Sequence, residues 1–230
     1  FSKALNLLRR AWKLASEIKD YTQQYFIAYN QALSLWETGK YSEAQKKLDK
    51  AKEILKRLKA EWRTLEIEEL WAAIYYHQGL TEEAETLLKS ALNKIDNTYE
   101  AARRLSILLS LAGYYVDSLK ISEAEKVLRE PPLQENFDFS TTYFAEKKLL
   151  EAELKALKGE KIHVEELREL LEKVKQQSLF PLYYRGFLTL AIIEICTGDF
   201  EKAIQNLTLA AINFKNLNMP FYEAKAYILE

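Results

Sequence analysis

Small and large apolar residues recur along the chain at helical spacing, and this spacing itself repeats about every 40 residues. Alanine, replaced once by valine, holds the repeated position: Ala4, Ala44, Ala84, Ala124, Val164 and Ala203. Leucine follows four residues later in every repeat but one, where Arg168 stands beside Leu167. Residues four apart lie on one face of an α-helix. The pattern therefore predicts a series of helices that each bury one face.

Glycine and proline mark the ends of these predicted helices. Four glycines precede the repeated position by five residues: Gly39, Gly79, Gly159 and Gly198. Leu119 stands at the corresponding place in the third repeat. Glycine is favoured where a helix ends in the left-handed conformation, because it has no Cβ to clash. Prolines fall at the other junctions, where a first helical turn tolerates them: Pro131, Pro132, Pro181 and Pro220.

These signals predict an all-α protein of about eleven helices. A first helix is expected over 1–19 and a last one from Pro220 to the chain end. Between them we expect antiparallel pairs: 22–38 with 41–59, 62–78 with 81–95, 98–118 with 121–130, 140–158 with 162–177, and 181–197 with 200–216. The repeats are bounded at 21–60, 61–96, 97–138, 139–178 and 179–218, in a single array over 1–230. Residues 1–20 and 219–230 then form half-repeats, as expected for a fragment of a larger protein.

The predicted pairs resemble the tetratricopeptide repeat. That family places a small residue late in the first helix, glycine and an aromatic residue at the turn, and then alanine, a large apolar residue and alanine. The stretch "ALSLWETGKYSEAQKKLDKA" (32–51) carries all of these, and "AIIEICTGDFEKAIQNLTLA" (191–210) carries them with Phe200 as the aromatic residue. In the stretch 72–91, Thr81 replaces the aromatic residue, and the third and fourth repeats are degenerate. The resemblance implies a right-handed superhelical solenoid of antiparallel helix pairs.

The period of about 40 exceeds the 34 residues usual for that family. Long repeats of this kind resemble the helical sensor domains of bacterial transcription regulators, and the ending "FKNLNMPFYEAKAYILE" (214–230) looks similar to them. HEAT and armadillo arrays also have periods near 40 but do not favour glycine, an aromatic residue and alanine at this spacing. A solenoid buries its apolar faces by stacking repeats. Uncapped ends would therefore allow self-association.

Charge and composition narrow the class of partner. Lys and Arg (33) nearly balance Asp and Glu (34), so we expect no nucleic-acid binding by this segment. No apolar run approaches the ~20 residues of a membrane span, so no membrane association is expected. A single cysteine, Cys196, excludes an internal disulfide and suits a cytoplasmic location.

Residues with catalytic or metal-binding chemistry are sparse. His77 and His163 have no second His or Cys at metal-ligand spacing, and Cys196 has no evident catalytic partners. No glycine-rich phosphate loop occurs. The basic stretch 46–59 also contains acidic residues and is typical of a solvated helix face. We therefore expect a protein that is not an enzyme, with no catalytic residue, no metal site and no cofactor.

The resemblance implies that the first helix of each pair lines the concave side of the array. Helical spacing then predicts a groove for a ligand or partner, lined by Phe26, Tyr29, Asn30, Trp36, Tyr76, His77, Ser110 and Asp117. The alternative is that the small residues around Ser110 and Gly113 only allow tight helix packing.

The expected function is non-catalytic protein recognition, in which this face holds a peptide segment or a partner helix. One alternative is a regulatory domain that senses a small-molecule effector. A second is an architectural spacer or self-association arm.

Overall fold

The computed structural model describes residues 2–60, 63–95, 101–130 and 141–230. Within these ranges the chain forms twelve α-helices and no strand, which confirms the all-α class. The segments predicted above also add up to twelve, one more than the stated count of about eleven, and each matches one observed helix. The helices are α1 (Ser2–Glu17), α2 (Tyr21–Glu37), α3 (Tyr41–Leu58), α4 (Thr64–His77), α5 (Thr81–Lys94), α6 (Ala101–Asp117), α7 (Ile121–Leu128), α8 (Thr141–Leu157), α9 (Val164–Gln176), α10 (Phe180–Thr197), α11 (Phe200–Leu217) and α12 (Pro220–Leu229). The predicted junction around Pro131 and Pro132 lies outside the described residues.

Residues with a left-handed backbone conformation end helices both at the turn within a pair and at the connection between pairs. The four predicted glycines all have positive φ, from 69° at Gly159 to 83° at Gly198. Leu119, at the same place in the third repeat, also has a φ of 56°. At the other junction non-glycine residues take this conformation: Lys19, Lys59, Ser178 and Asn218. The 40-residue repeat of backbone geometry thus persists where glycine is absent, although a left-handed leucine costs ~1–2 kcal/mol.

The chain divides into two compact units. Unit 1 comprises Phe1–Lys94 and Asn218–Phe221, and unit 2 comprises Ile95–Leu217 and Tyr222–Glu230. In unit 1, α2 packs against α1 and α3, and α4 packs against α3 and α5. In unit 2, α6 packs against α7 and α8, while α10 packs against α8, α9 and α11. Consecutive helices are therefore the main packing partners in unit 1, whereas in unit 2 helices two apart in the chain, α6 with α8 and α8 with α10, also pack extensively.

The repeated alanine is a core position where a full helix pair is present. Ala44, Ala84 and Ala124 have no exposed surface, and Ala203 is 2% exposed. Val164 is only half-buried, and Ala4 on α1 is exposed. The position is buried on α3, α5, α7 and α11, each of which packs against the first helix of its own pair, whereas Val164 stays half-buried although α9 packs against α8.

Close approach of two helices explains Gly186 in the interior of α10. A Cβ at this position would lie 2.1 Å from Cδ2 of Leu171, a buried residue of α9. Gly113 is less constrained, because its nearest neighbour would be Cδ2 of Leu150 at 3.7 Å, an ordinary contact. Close helix packing thus requires glycine at position 186 and does not require it at position 113.

Candidate functional site

Six of the eight predicted groove residues lie in unit 1 and two lie in unit 2. Helix α2 carries Phe26, Tyr29, Asn30 and Trp36; α4 carries Tyr76 and His77; α6 carries Ser110 and Asp117.

In unit 1, five rings form an aromatic cluster: Trp36, Tyr41, Tyr76, His77 and Phe221. His77 is its centre. The imidazole of His77 stacks on the ring of Phe221 with centroids 3.7 Å apart and planes 6° apart. It also stacks on Trp36 at 4.9 Å and meets the edge of Tyr41 at 6.0 Å. Tyr76 lies 5.8 Å from Phe221. Of the predicted residues, the structure therefore brings Trp36, Tyr76 and His77 together.

A short segment of the chain, residues 218–221, fills this face of unit 1. Met219 is 2% exposed, and Phe221 is the ring stacked on His77. Pro220 lies against the turn between α2 and α3, where a Cβ at Gly39 would come within 2.7 Å of Pro220 Cγ. Glycine at position 39 thus serves two purposes, since its φ is 72° and its missing side chain makes room for the proline.

The indole N–H of Trp36 is buried within this cluster. Among the described residues, no acceptor lies within hydrogen-bond reach of its Nε1 atom. Buried N–H groups in native proteins nearly always have an acceptor. A ligand that supplies a carbonyl oxygen at this position would satisfy the indole.

The start of α2 carries a second aromatic group that sequence reasoning described only in part. The hydroxyl of Tyr25 donates to Glu66 Oε2 at 2.6 Å, and the guanidinium of Arg63 lies over the Phe26 ring at 4.6 Å. Burial, and then the hydrogen bond to Glu66, raises the pKa of Tyr25. Tyr29 stacks on Tyr25 at 6.3 Å. The inclusion of Tyr25 and Arg63 depends on contacts between α2 and the start of α4, which the helical period of α2 does not specify.

Asn30 is exposed, and its amide donates to the carbonyl of Phe26 in the preceding turn at 2.7 Å. A side chain held by its own helix in this way offers little to a ligand. Phe26 itself is 36% exposed. This end of the face is therefore open to solvent, in contrast to the filled aromatic cluster.

In unit 2, Asp117 belongs to a polar cluster formed by α6, α8, α10 and α12. Lys225 donates to Asp117, and Arg185 donates to Glu146 Oε1 at 2.6 Å. Thr189, 1% exposed, donates to Glu153 Oε1 at 2.5 Å. Ser110 is half-buried on α6. Of the residues in this polar cluster, the sequence predicted only Asp117 as a site residue, because its partners come from helices distant in the chain.

Glu153 is the most deeply buried carboxyl group of this cluster, with 6% of its surface exposed. Burial raises its pKa. The positive charge of Lys225 opposes this, the negative charge of Asp117 adds to it, and the hydrogen bond from Thr189 and the charge of Arg185 again oppose it. The net shift is upward, so the folded protein binds the proton of Glu153 more tightly than the unfolded chain does.

Replacement of Glu153 by glutamine is expected to flatten the pH dependence of stability. In the parent, the stabilising contribution of this proton is present below the unfolded pKa, near 4.5, and is lost as pH rises through the higher folded pKa. As pH rises from mildly acidic to neutral, the parent should lose this stabilising contribution and Glu153→Gln should not. The free energy of unfolding of Glu153→Gln should therefore rise relative to that of the parent. Urea unfolding at both pH values measures the difference. Glu172→Gln, at an exposed position of α9, controls for the loss of one carboxylate, and an equal response in both variants would contradict the prediction.

The described ranges contain no group of three or more His, Cys, Asp or Glu residues that could hold a metal ion. Cys196 is exposed. None of the described helices has the length and apolarity needed to cross a bilayer.

Comparison with known proteins gave no relative: no family model matches the chain, and no curated protein matches it significantly.

Proposed function

We propose that this chain is a non-catalytic recognition module that binds a short apolar peptide segment of a partner protein on the face of unit 1 formed by α2 and α4. The observation that carries the proposal is that this face already holds a peptide, residues 218–221 of the chain itself. Phe221 stacks on His77 at 3.7 Å, and Pro220 lies against the turn at Gly39. A partner segment with an aromatic residue after a proline would make the same contacts.

The physical chemistry of the face suits this role. Aromatic side chains supply large contact areas at a small cost in conformational entropy and dominate many peptide interfaces. The buried N–H of Trp36 offers a hydrogen bond to a peptide carbonyl. The resemblance to tetratricopeptide arrays also supports the proposal, because in that family the first helices of the pairs form the binding face.

The test is a competition between the internal segment and the same sequence supplied as a peptide. The probe is the acetylated and amidated octapeptide Asn-Leu-Asn-Met-Pro-Phe-Tyr-Glu, which copies residues 216–223. Phe221→Ala removes the internal ring from His77. We expect this variant to bind the probe about fivefold more tightly than the parent, since one aromatic contact of ~1 kcal/mol no longer competes. Calorimetric titration measures both affinities.

Two further variants sharpen this comparison. Phe200→Ala removes a phenylalanine that is 62% exposed on α11 and should bind the probe as the parent does. Phe221→Ala/His77→Ala also lacks the imidazole on which a phenylalanine of the probe would stack. It should therefore lose the increase in affinity expected for Phe221→Ala. Thermal unfolding checks that all variants are folded. Equal binding by the parent, Phe221→Ala and the double variant would overturn the proposal and favour a spacer role.

A further inference from the structure

A second surface of unit 1, built from α3, α4 and α5, has the form of a groove. Its volume is about 800 Å³, and it is separate from the aromatic cluster, with which it shares no residue. One face of α4 lines it with Thr64, Ile67, Glu68, Trp71 and Tyr75. The walls are Asp49 and Lys52 of α3 and the α5 residues Glu82, Glu83, Thr86, Leu87 and Ser90.

The groove is acidic although the whole chain is nearly neutral. Among the described residues, four carboxylates line it, from Asp49, Glu68, Glu82 and Glu83, against the ammonium group of Lys52 and that of Lys94, which pairs with Glu68. The chain as a whole has a net charge of −1. A concave surface lined by one sign of charge concentrates counter-ions and charged partners of the opposite sign. The complementary occupant is therefore cationic.

Two aromatic rings of α4 lie among these carboxylates. Trp71 and Tyr75 have ring centroids 5.5 Å apart, are both half-buried and both line the groove. A guanidinium or ammonium group over a Trp or Tyr face is attracted by the ring quadrupole. This arrangement favours a cationic side chain with apolar carbon atoms over a hydrated metal ion. No metal-holding group of acidic residues, His or Cys was found in the described ranges, which agrees with this choice.

Glu68 provides an acceptor within the groove. Its Oε1 accepts from Lys94 at 2.6 Å. Its Oε2 is buried, and within the described parts of the chain it has no hydrogen-bond donor. An unmatched buried carboxylate oxygen is costly, so a donor supplied by a ligand would be stabilising. Arginine meets both demands, because its planar guanidinium donates in a fork and also stacks on aromatic rings.

From these contacts we propose that the groove of α3, α4 and α5 binds a short basic segment of a partner protein, with an arginine side chain between Glu68 and Trp71. The groove wall on α5 runs from Glu82 to Ser90, eight residues apart, which corresponds to about 12 Å of helix. An extended segment of about four residues covers this length. The occupant is thus a short peptide rather than a nucleic acid, whose phosphates the carboxylates would repel.

The experiment titrates the isotope-labelled full chain with the pentapeptide acetyl-Ala-Arg-Ala-Arg-Ala-amide and follows backbone amide shifts by NMR. Shifts are expected in residues 64–90, together with an affinity that weakens as salt is added. The peptide with glutamate in place of arginine should cause none. No shift at millimolar arginine peptide, or shifts centred on Trp36 and His77, would overturn the proposal.

A matched pair of variants separates the groove from general attraction to acidic surfaces. Glu68→Gln/Glu83→Gln removes two groove charges and should weaken binding at least tenfold. Glu165→Gln/Glu172→Gln removes two charges from exposed positions of α9 and should stay within twofold of the parent. Equal weakening in the two variants would contradict a specific site. Both variants leave the aromatic cluster intact. A negative result with the arginine peptide would therefore not change the octapeptide result, and the two proposals can fail separately.

Discussion

Arginine at position 84 is expected to unfold unit 1. Ala84 lies on α5, which packs against α4, and none of its surface is exposed. The arginine side chain would have to displace neighbouring side chains and bring a charge into an apolar environment. Overpacking alone costs ~1–3 kcal/mol, and an unpaired buried charge adds several more. We therefore expect Ala84→Arg to lose at least ~3 kcal/mol of stability, measured by urea unfolding followed by circular dichroism.

Ala4→Arg is a matched control for this experiment. Ala4 occupies the same position of the 40-residue repeat and the same unit, but it is exposed. The same substitution should therefore change stability by no more than ~0.5 kcal/mol. If Ala84→Arg unfolded at the same urea concentration as the parent, the assigned repeat register would be wrong. If both variants were equally destabilised, burial would not be the cause.

Removal of the Phe214 side chain is expected to have a comparable effect in unit 2. Phe214 of α11 has no exposed surface, stacks on Tyr222 at 5.2 Å and meets the edge of Tyr184 at 6.3 Å. Phe214→Ala would leave a cavity that the neighbouring rings fill only partly. Buried Phe→Ala substitutions cost ~3–5 kcal/mol. Urea unfolding should show this loss as a lower transition midpoint.

Phe200→Ala is the control for Phe214→Ala, since Phe200 starts the same helix and is 62% exposed. The expected change in the free energy of unfolding is within ~0.5 kcal/mol. Equal effects of the two substitutions would show that α11 does not bury the face described here. Phe214→Leu is expected to recover most of the lost stability, because it refills much of the volume.

Local patterns in the sequence determined the helices and most of their ends. A leucine four residues after an alanine, as at Ala44 and Leu48, identifies two residues that share one helix face without knowledge of the partner helix, because helix geometry places both on one side. Glycine predicts a left-handed helix end because that backbone conformation is strained in residues with a Cβ. The helix ends at Gly39 and Gly198 were therefore predictable. Both inferences depend only on residues near in sequence.

The candidate site was predictable only in part. The helical period placed Trp36, Tyr76 and His77 on facing surfaces, and the structure brings them together. The same reasoning did not find Phe221, the ring closest to His77, because nothing local links residues so distant in the chain. Nor did it identify the groove of unit 1 that half-buried Trp71 lines, since the walls of that groove come from three helices.

The sequence by itself thus determined which segments are helical, where they turn, and which residues share a face. Tertiary structure alone decided what each face meets. Ala4 and Ala84 have the same local pattern, yet Ala4 is exposed and Ala84 is buried. Leu119 adopts the left-handed backbone conformation that glycine favours, and Asp117 pairs with Lys225, 108 residues away. The physical reason is that helix periodicity is a short-range property, whereas burial and ion pairing depend on the partner that packing brings to each face.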